Sequence, residues 1–253
     1  MSARAGWRLA VGTLTVLSSG SVDPSPAAAR WMVGLAPVAV LPLALGASAL
    51  SAAGATLGAP QLVTGLLVVA WLALMTRGMH LDAVADVTDG TAAGWDAERA
   101  RAVLKRGDIG PMGVVALLIV LGLQAASIGA VAATPWGWVL VGTLVAASRW
   151  LIAPVCVQVP AMPGSSLGAV YANAVPGWHA VLWSLAGVGV VTAAVIGTGS
   201  AWWWGPLAWV PAVGLATALR AHAVRTFHGI NGDVLGTAIE LGLTLGLVVL
   251  ACR

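Results

Sequence analysis

Three aspartates, Asp82, Asp86 and Asp89, lie in one short segment, HLDAVADVTDG at residues 80–90, of a chain that carries little other charge. On a helix with about 100° of rotation per residue, this spacing confines the three carboxylates to an arc of roughly 60°. Like charges this close raise one another's pKa and destabilise a helix unless a cation lies among them. Mg²⁺ is typically held by one or two carboxylates together with substrate phosphates. The spacing therefore predicts a Mg²⁺ site on a helix over 78–92, with a solvated acidic helix face as the alternative.

The rest of the chain is apolar. Of its 253 residues, 59% are hydrophobic and only 8% are charged, and the mean hydropathy is +0.94. Because a soluble domain is usually about a quarter charged, we expect an all-α, polytopic integral membrane helical bundle that forms a single domain over 1–253. The basic residues form no stripe, so the sequence gives no indication of nucleic-acid binding. Cys156 and Cys252 have neither metal-site nor disulfide-framework spacing.

Seven segments are apolar enough to be membrane spans, each of which needs about 20 such residues. The candidate spans are 33–53, 56–75, 112–133, 138–157, 178–198, 202–219 and 233–251. Residues 1–20 read as an amphipathic or re-entrant entry segment rather than a signal peptide.

Orientation follows from the basic residues. Every Lys and Arg except Arg253 falls on one side of the membrane or, for Arg149, in a span that leads to it. Cytoplasmic loops are enriched in Lys and Arg, so we expect this side, the N-terminus included, to face the cytoplasm from a bacterial cytoplasmic (inner) membrane. Residues 76–111 then form a cytoplasmic, acidic, helical catalytic loop, and 220–232 form a second cytoplasmic polar loop.

The loop after the aspartates continues as GWDAERARAVLKRGDIGPMG at 94–113. It predicts a short amphipathic helix from about Asp96 to Arg106, with Asp96 as its N-cap. Lys105 and Arg106 could meet either lipid headgroups or phosphate oxygens. The GDIGPMG turn would offer backbone N–H groups to a phosphate.

The last polar segment is RAHAVRTFHGINGDVLGTAIE at 220–240. Asp233 is placed to cap the final span. Glu240 lies about two turns into that span, where an unpaired acid costs about 3 kcal/mol. Arg149 is the natural opposite charge, so a structural ion pair between Glu240 and Arg149 is one interpretation of both residues.

Three motifs of the chain resemble the cobalamin synthase family, also called adenosylcobinamide-GDP ribazoletransferase. RGMHLDAVADVTDG at 77–90 is similar to the family's GGLHLDGLADTADG, KRGDIGPMG at 105–113 to KDSRIGTYG, and HGINGDVLGT at 228–237 to GGLTGDVLGA. The motifs occur in the family's order, and SRW at 148–150 and PGSSLG at 163–168 also look like family features.

The chain departs from the family pattern at several positions. Ala83 stands where the family usually has Gly, and Arg106 and Asp108 exchange the usual acidic and basic positions of the second motif. The family's N-terminal TRLP segment is only faintly echoed by GTLTVLSS at 12–19, which leaves Arg30 as the nearest early arginine.

The resemblance implies a reaction that joins adenosylcobinamide-GDP to alpha-ribazole, or its 5′-phosphate, to give cobalamin or its phosphate and GMP. It implies Mg²⁺ as cofactor, with Asp82, Asp86 and Asp89 as catalytic and metal-binding residues. Polar residues of the cytoplasmic side are assigned to substrate binding: His80, Lys105, Asp108, Arg149, Arg225, Asp233 and Glu240. Among them Lys105, Arg149 and Arg225 are candidates for holding phosphate oxygens, and Asp233 for a second metal contact or for ribazole.

His80 lies on nearly the other side of the predicted helix from the aspartates, which places it away from the metal. Tryptophans near the cytoplasmic side, Trp95, Trp150 and Trp178, are candidates to line the space for the corrin ring. Membrane lipid is an expected partner, and the sequence leaves a homo-oligomer open.

Two other functions fit parts of the pattern. A CDP-alcohol-type membrane phosphotransferase also uses clustered aspartates, but its DGxxAR signature is absent and the aspartate spacing differs. A cation transporter would use Asp82, Asp86, Glu240 and Arg149 as a path. Transporters place such groups near the bilayer midplane, whereas most of the acids here lie in a loop.

Overall fold

The computed structural model describes residues 3–94 and 96–253, and this part of the chain is built of α-helices joined by short connections. Its one β-type contact is an isolated bridge between Ala161 and Ile230. In chain order, the helices are α1 (Ala3–Leu14), α2 (Pro26–Ala39), α3 (Leu41–Thr56), α4 (Gln61–Met75), α5 (Met79–Ala92), α6 (Ala97–Leu104), α7 (Pro111–Ala132), α8 (Gly137–Ala147), α9 (Ile152–Val155), α10 (Ser166–Tyr171), α11 (Gly177–Gly197), α12 (Trp204–Phe227) and α13 (Gly232–Ala251), with a 3₁₀ turn (Ser148–Leu151) between α8 and α9. The all-α prediction is confirmed.

Six helical segments of the described chain are long and apolar enough to cross a membrane. They are Pro26–Thr56, Pro111–Ala132, Gly137–Val155, Gly177–Gly197, Trp204–Phe227 and Gly232–Ala251. A seventh span exists only if α4 and α5, which are bent by 91° relative to each other, are taken as one. The protein is therefore a multi-pass helical membrane protein. Of the seven predicted spans, 56–75 is the one that does not match a single spanning helix. It forms the 15-residue α4, which at 1.5 Å per residue covers only about 22 Å.

The bend between α4 and α5 has a local cause. Arg77 and Gly78 both adopt left-handed backbone conformations, with φ of 56° and 68°. The N–H of Gly78 returns to the carbonyl of Ala73 at 2.8 Å, which closes the end of α4 in the manner of a helix C-cap. As a result α5 runs across the end of α4 instead of continuing its path.

Close packing against α13 fixes α5 in place. The hydroxyl of Thr237 donates to the carbonyl of Ala83 at 2.9 Å. A Cβ added to Gly236 would lie 2.8 Å from the Cβ of Ala83. Small residues thus let the two helices approach each other closely. Gly236 of α13 faces Ala83 of α5, the position at which the resembling family usually has Gly.

The segment before α10 is attached to the turn that precedes α13. Met162 N donates to the carbonyl of Ile230 at 2.9 Å, and Ile230 N donates to the carbonyl of Pro160 at 3.0 Å. Gly229 has a φ of 154°, and a Cβ there would lie 2.5 Å from the Ala161 carbonyl carbon. Only glycine fits this crossing, which holds the PGSSLG segment beside the start of α13.

The N-terminal helix α1 is amphipathic, as predicted. One face is buried, including Leu9, Ala10 and Leu14, while Arg4 and Trp7 are exposed. It packs along α2 and brings residues 12–14 toward α5 and α13.

Candidate active site

The predicted acidic face exists on α5, and the three aspartates differ in environment. Asp82 is exposed, whereas Asp86 and Asp89 are half-buried. Asp96 caps α6 as predicted, because its side chain accepts hydrogen bonds from the N–H groups of Glu98 and Arg99.

Asp233 joins Asp82 and Asp86 from α13. It is close enough to both for their charges to interact. The prediction that Asp233 caps α13 is wrong: Asn231 is the N-cap, and its side-chain oxygen accepts from Val234 N at 3.1 Å. The amide group of Asn231 also donates to the Asp233 carboxylate. Asn231 therefore does the capping and orients Asp233, whose carboxylate lies in the first turn of α13.

The charge cluster is under electrostatic strain. Burial, followed by the charges of Asp82, Asp233 and Asp89, raises the pKa of Asp86 to about 7. α5 lies outside the six spanning segments. Since nearby negative charges disfavour ionisation, a cation among these carboxylates would relieve the strain.

Asp89 has a structural contact that its spacing does not reveal. Its two carboxylate oxygens accept hydrogen bonds from the backbone N–H groups of Gly110, at 2.6 Å, and Gly113, at 2.8 Å. It thereby satisfies free donors at the N-terminus of α7, where a negative charge is also favourable. Two of the N–H groups that the GDIGPMG turn was predicted to offer to a phosphate are therefore occupied by Asp89.

Protein side chains alone do not complete a metal site in the described chain. There, no three His, Cys, Asp or Glu side chains lie together in an arrangement that could hold a metal ion. The Mg²⁺ assignment to Asp82, Asp86 and Asp89 thus stays a prediction.

Glu240 belongs to a buried polar network. His80 Nδ1 lies 3.5 Å from Glu240 Oε1, and Gln124 Nε2 donates to Glu240 Oε2 at 2.8 Å. Gln124 also donates to the hydroxyl of Thr244 at 3.0 Å. In the described chain, the direct ion-pair partner of Glu240 is His80. Arg149 makes no direct ion pair with Glu240, but the two are close enough for their charges to interact.

Arg149 is buried, with 1% of its surface exposed. Its Nη1 donates to the carbonyl of Val145 at 2.7 Å and to the hydroxyl of Ser148 at 2.8 Å. Arg149 does not line the cavity between α5, α13 and α1 that is described below. The structure therefore does not bring it to the position of a phosphate ligand.

Basic side chains lie at the end of α6 and on α12, and α6 contacts both α5 and α12. A Cβ on Gly164 would lie 3.1 Å from Lys105 Nζ, which places the Lys105 ammonium group against the PGSSLG segment. Arg101 Nη1 lies 3.3 Å from His228 Nδ1. Arg225 and Asp108 are exposed. We call Arg101, Lys105 and Arg225 the basic rim.

A cavity of about 290 Å³ lies between α5 and α13 on one side and α1, α2 and α10 on the other. We call it the central cavity, and it brings together Asp82, Asp233 and His80. His80 therefore reaches the same space as Asp82, although helical spacing puts the two on nearly opposite sides of α5. Both residues lie in the first turn of α5, where the helix begins beside the cavity.

Sequence reasoning missed several residues of the central cavity. They come from α1, α2 and α10 and are Gly12, Thr13, Leu14, Met32, Leu167 and Tyr171. The first three belong to the GTLTVLSS echo, and Leu167 follows the serines of PGSSLG, so both segments carried a weak signal. Gln124 also indicates a buried polar contact in the sequence, because an amide within an apolar span usually has a buried polar partner.

The tryptophans assigned to the corrin space do not gather at the central cavity. Trp150 stacks on Trp183, with ring centroids 5.3 Å apart, and Trp178 is exposed beside His179. Trp95 lies outside the described residues.

The fold and the site define a multi-pass helical membrane protein with an acidic cavity lined by α5 and α13. The family model for cobalamin-5-phosphate synthase matches residues 6–251. The chain belongs to this family.

Relatives in other bacteria match along nearly the whole chain. An adenosylcobinamide-GDP ribazoletransferase of a Nocardioides species is 38% identical over 99% of this chain and 100% of its own length. Proteins of the same name from Corynebacterium efficiens and Bradyrhizobium diazoefficiens are 34% and 31% identical, over 97% and 96% of this chain and 93% and 92% of their own lengths. No solved structure matches the chain.

Proposed function

We propose that this protein is an adenosylcobinamide-GDP ribazoletransferase, which transfers the cobinamide phosphate group to alpha-ribazole or its 5′-phosphate in a late step of cobalamin formation. Family membership over residues 6–251 and the names of the relatives support this function. The observation that carries the site is the meeting of Asp82 and Asp233 at the central cavity, with Asp86 close enough for its charge to interact with both. Clustered carboxylates of this kind suit a divalent cation that is shared with substrate phosphates.

The chemistry is a substitution at phosphorus. A ribose hydroxyl oxygen of the acceptor forms a bond to the cobinamide-linked phosphorus. The bond from that phosphorus to the bridging oxygen breaks, and the bridging oxygen departs on GMP. The hydroxyl proton goes to a carboxylate of the cavity or to water. Positioning and charge neutralisation supply most of the catalysis in such reactions.

Asp82 and Asp86, with Asp233 opposite them, are the residues that would hold Mg²⁺. Their oxygen donors suit this ion, and substrate phosphates would complete a shell that the protein leaves incomplete. When bound, Mg²⁺ neutralises charge on the diphosphate and on the departing GMP. Asp89 contributes by holding the N-terminus of α7 in place, with both of its oxygens already accepting hydrogen bonds.

The basic rim would hold phosphate oxygens of adenosylcobinamide-GDP. Lys105 lies against the PGSSLG segment, and Arg225 is exposed in the last turn of α12, before the turn to α13. Arg149 is left out of this role because it is buried with its own backbone partners.

The cellular placement is part of the proposal. Residues 76–111 and 220–232, which carry most of the acids and the basic rim, hold seven of the twelve Lys and Arg of the chain. The positive-inside rule then places the site on the cytoplasmic face of a bacterial inner membrane. The family assignment favours this transferase over a CDP-alcohol phosphotransferase and over a cation transporter.

The test uses purified protein in lipid vesicles with adenosylcobinamide-GDP, alpha-ribazole or its 5′-phosphate, and Mg²⁺. The bridging oxygen of the diphosphate carries ¹⁸O, and products are followed by mass. We expect cobalamin or its phosphate, with the label in GMP, and no product when acceptor is omitted or a chelator is added. Absence of product from folded protein with both acceptors and several divalent ions would contradict the proposed function.

A further inference from the structure

A groove runs along the side of the helical bundle, between the spanning segments Pro26–Thr56 and Gly177–Gly197. Both segments pack on α8 and on the 3₁₀ turn, which lie at the bottom of the groove. The groove contains one cavity of about 370 Å³ and a second of about 350 Å³. We call it the lateral groove. Its residues are different from those of the central cavity, so the proposed transfer reaction gives it no role.

Arg30 is the charged group of the first cavity. The residue is exposed, and its Nε donates to the carbonyl of Ala174 at 3.0 Å. This bond fixes the guanidinium group, whose terminal nitrogens have no hydrogen-bond partner in the described chain. A planar guanidinium with free N–H groups suits the oxygens of a phosphate.

The charges around Arg30 favour an anion. The ion pair of the described chain joins His80 and Glu240, so no acid there pairs with Arg30. His179 also lines the first cavity, close enough to Arg30 for their charges to interact. α11 begins at Gly177, shortly before His179, and the N-terminus of a helix favours negative charge. This end of the groove therefore carries positive charge without a counter-charge from the described protein.

Two tryptophans place this end of the groove at the membrane surface. Trp31, which is exposed, follows Arg30 in the chain. Trp178, which is also exposed, precedes His179. Because tryptophan prefers the level of the lipid headgroups, we expect the Arg30 guanidinium at the depth of the headgroup phosphates.

The second cavity continues the groove with apolar side chains. Those that line it include Pro37, Leu41, Leu45, Ala146, Trp150 and Val190. The two cavities meet at Gly34, which lines the first and whose carbonyl accepts from Trp150 Nε1 at 3.4 Å. Leu45 is 65% exposed, so the second cavity is open to the surrounding lipid.

The length of the groove distinguishes a lipid from a free anion. The helical path from Arg30 to Leu45 is about 22 Å at 1.5 Å per residue, whereas half of the hydrocarbon layer is about 15 Å thick. A phosphate bound at Arg30 alone would leave the apolar cavity empty. A phospholipid carries a phosphate and an acyl chain in the order in which the groove offers its two cavities.

We propose that the lateral groove binds a phospholipid with a negatively charged headgroup. The lipid phosphate accepts hydrogen bonds from Arg30, and one acyl chain lies along Pro37, Leu41 and Leu45. No carboxylate lines either cavity, so the ammonium group of a zwitterionic headgroup would lack a partner. The lipid fills the space that α8 leaves open between the two spanning segments.

The test is photocrosslinking of the purified protein in phosphatidylcholine vesicles. One probe is phosphatidylglycerol with a diazirine on an acyl chain, and the other is phosphatidylcholine with the same chain. Crosslinked positions are mapped by mass spectrometry of peptides. Arg30→Gln removes the charge from the groove. The matched control is Arg4→Gln, because Arg4 is exposed on α1 and does not line the groove.

Wild-type protein and Arg4→Gln should crosslink the phosphatidylglycerol probe about fivefold more than the phosphatidylcholine probe. The crosslinks should fall within residues 37–48 and 138–150, which line the second cavity. Arg30→Gln should lose the preference. Equal crosslinking of the two probes by wild-type protein would overturn the inference, as would a preference that Arg30→Gln retains.

Two competitors distinguish the lipid from other phosphate ligands. Equimolar glycerol phosphate and equimolar adenosylcobinamide-GDP should each leave the crosslinking unchanged. Displacement by the first would assign the groove to a free anion, and displacement by the second would assign it to a substrate. Either result would overturn the inference. Crosslinking requires no turnover, so failure of the proposed function would not affect this test.

A second variant covers the case in which Arg30→Gln does not fold. Leu45→Trp places a larger side chain in the apolar cavity at an exposed position. It should lower the crosslinking of both probes within the groove severalfold, because the acyl chain loses its space. Crosslinking of wild-type extent in Leu45→Trp would overturn the inference.

Discussion

His80 Nδ1 and Glu240 Oε1 lie 3.5 Å apart across the contact between α5 and α13, and both side chains are buried. Gln124 of α7 donates to the second oxygen of Glu240. Three helices are therefore joined at one carboxylate. The contact holds the aspartate-bearing helix against the helix that supplies Asp233.

Removing this carboxylate should loosen α5. We expect Glu240→Ala to lower the free energy of unfolding by about 3 kcal/mol, because the buried His80 and Gln124 lose their partner. Glu240→Gln, which keeps an acceptor for Gln124, should lose less. The check is thermal unfolding in detergent, with the exposed Glu98→Ala as control. Equal stability of Glu240→Ala and wild type would contradict this role.

Asp89 should act through α7. Asp89→Ala leaves the N–H groups of Gly110 and Gly113 without their acceptor, and we expect a loss of about 1 kcal/mol. Hydrogen exchange of residues 109–115 should become faster, whereas the exposed Asp23→Ala should not change it. If exchange at 109–115 is unaffected but Mg²⁺ binding is lost, Asp89 is a metal ligand and not mainly a cap.

The close contact between α5 and α13 predicts that two substitutions, one on each helix, compensate each other. Gly236→Ala adds a Cβ that would lie 2.8 Å from the Cβ of Ala83, so it should destabilise the protein. Combining it with Ala83→Gly should restore most of the loss, because the methyl group is only moved from one helix to the other. Simple additivity of the two single changes in thermal unfolding would show that these helices do not touch as described.

Mg²⁺ should stabilise the folded protein by binding it and not the unfolded chain. At about a hundred times its dissociation constant it should add about 2.7 kcal/mol, seen as a higher melting temperature that a chelator reverses. Asp82→Asn and Asp86→Asn should each remove the shift, and Asp23→Asn should keep it. A shift of wild-type size in both Asp82→Asn and Asp86→Asn would place the metal elsewhere.

The sequence predicts much of this arrangement because its signals are local. Apolar length predicts the spans, helical spacing predicts the shared face of the α5 aspartates, and Asp96 is recognisable as a cap from its neighbours. The length of an apolar segment does not predict the bend at Arg77 and Gly78. The predicted span 56–75 is therefore the short helix α4, and α5 follows it in a different direction.

The remaining contacts depend on tertiary packing. Asp89 reaches the start of α7 from 21 residues away. His80 and Asp82 share the central cavity because the first turn of α5 lies beside it. Asn and Asp are both favoured N-cap residues, so the sequence does not distinguish Asn231 from Asp233. In the structure, Asn231 is the N-cap of α13. Tyr171 carries no motif, and its place at the central cavity depends on the packing of α1, α2 and α10.

The most direct test of the central claim is the turnover of adenosylcobinamide-GDP and alpha-ribazole by Asp82→Asn and Asp233→Asn, compared with Asp23→Asn. If the central cavity is where phosphorus is attacked, each of the first two should lower kcat by about a hundredfold or more, with folding intact and Asp23→Asn at the wild-type rate. Wild-type turnover in both cavity variants would show that the reaction occurs elsewhere on the protein.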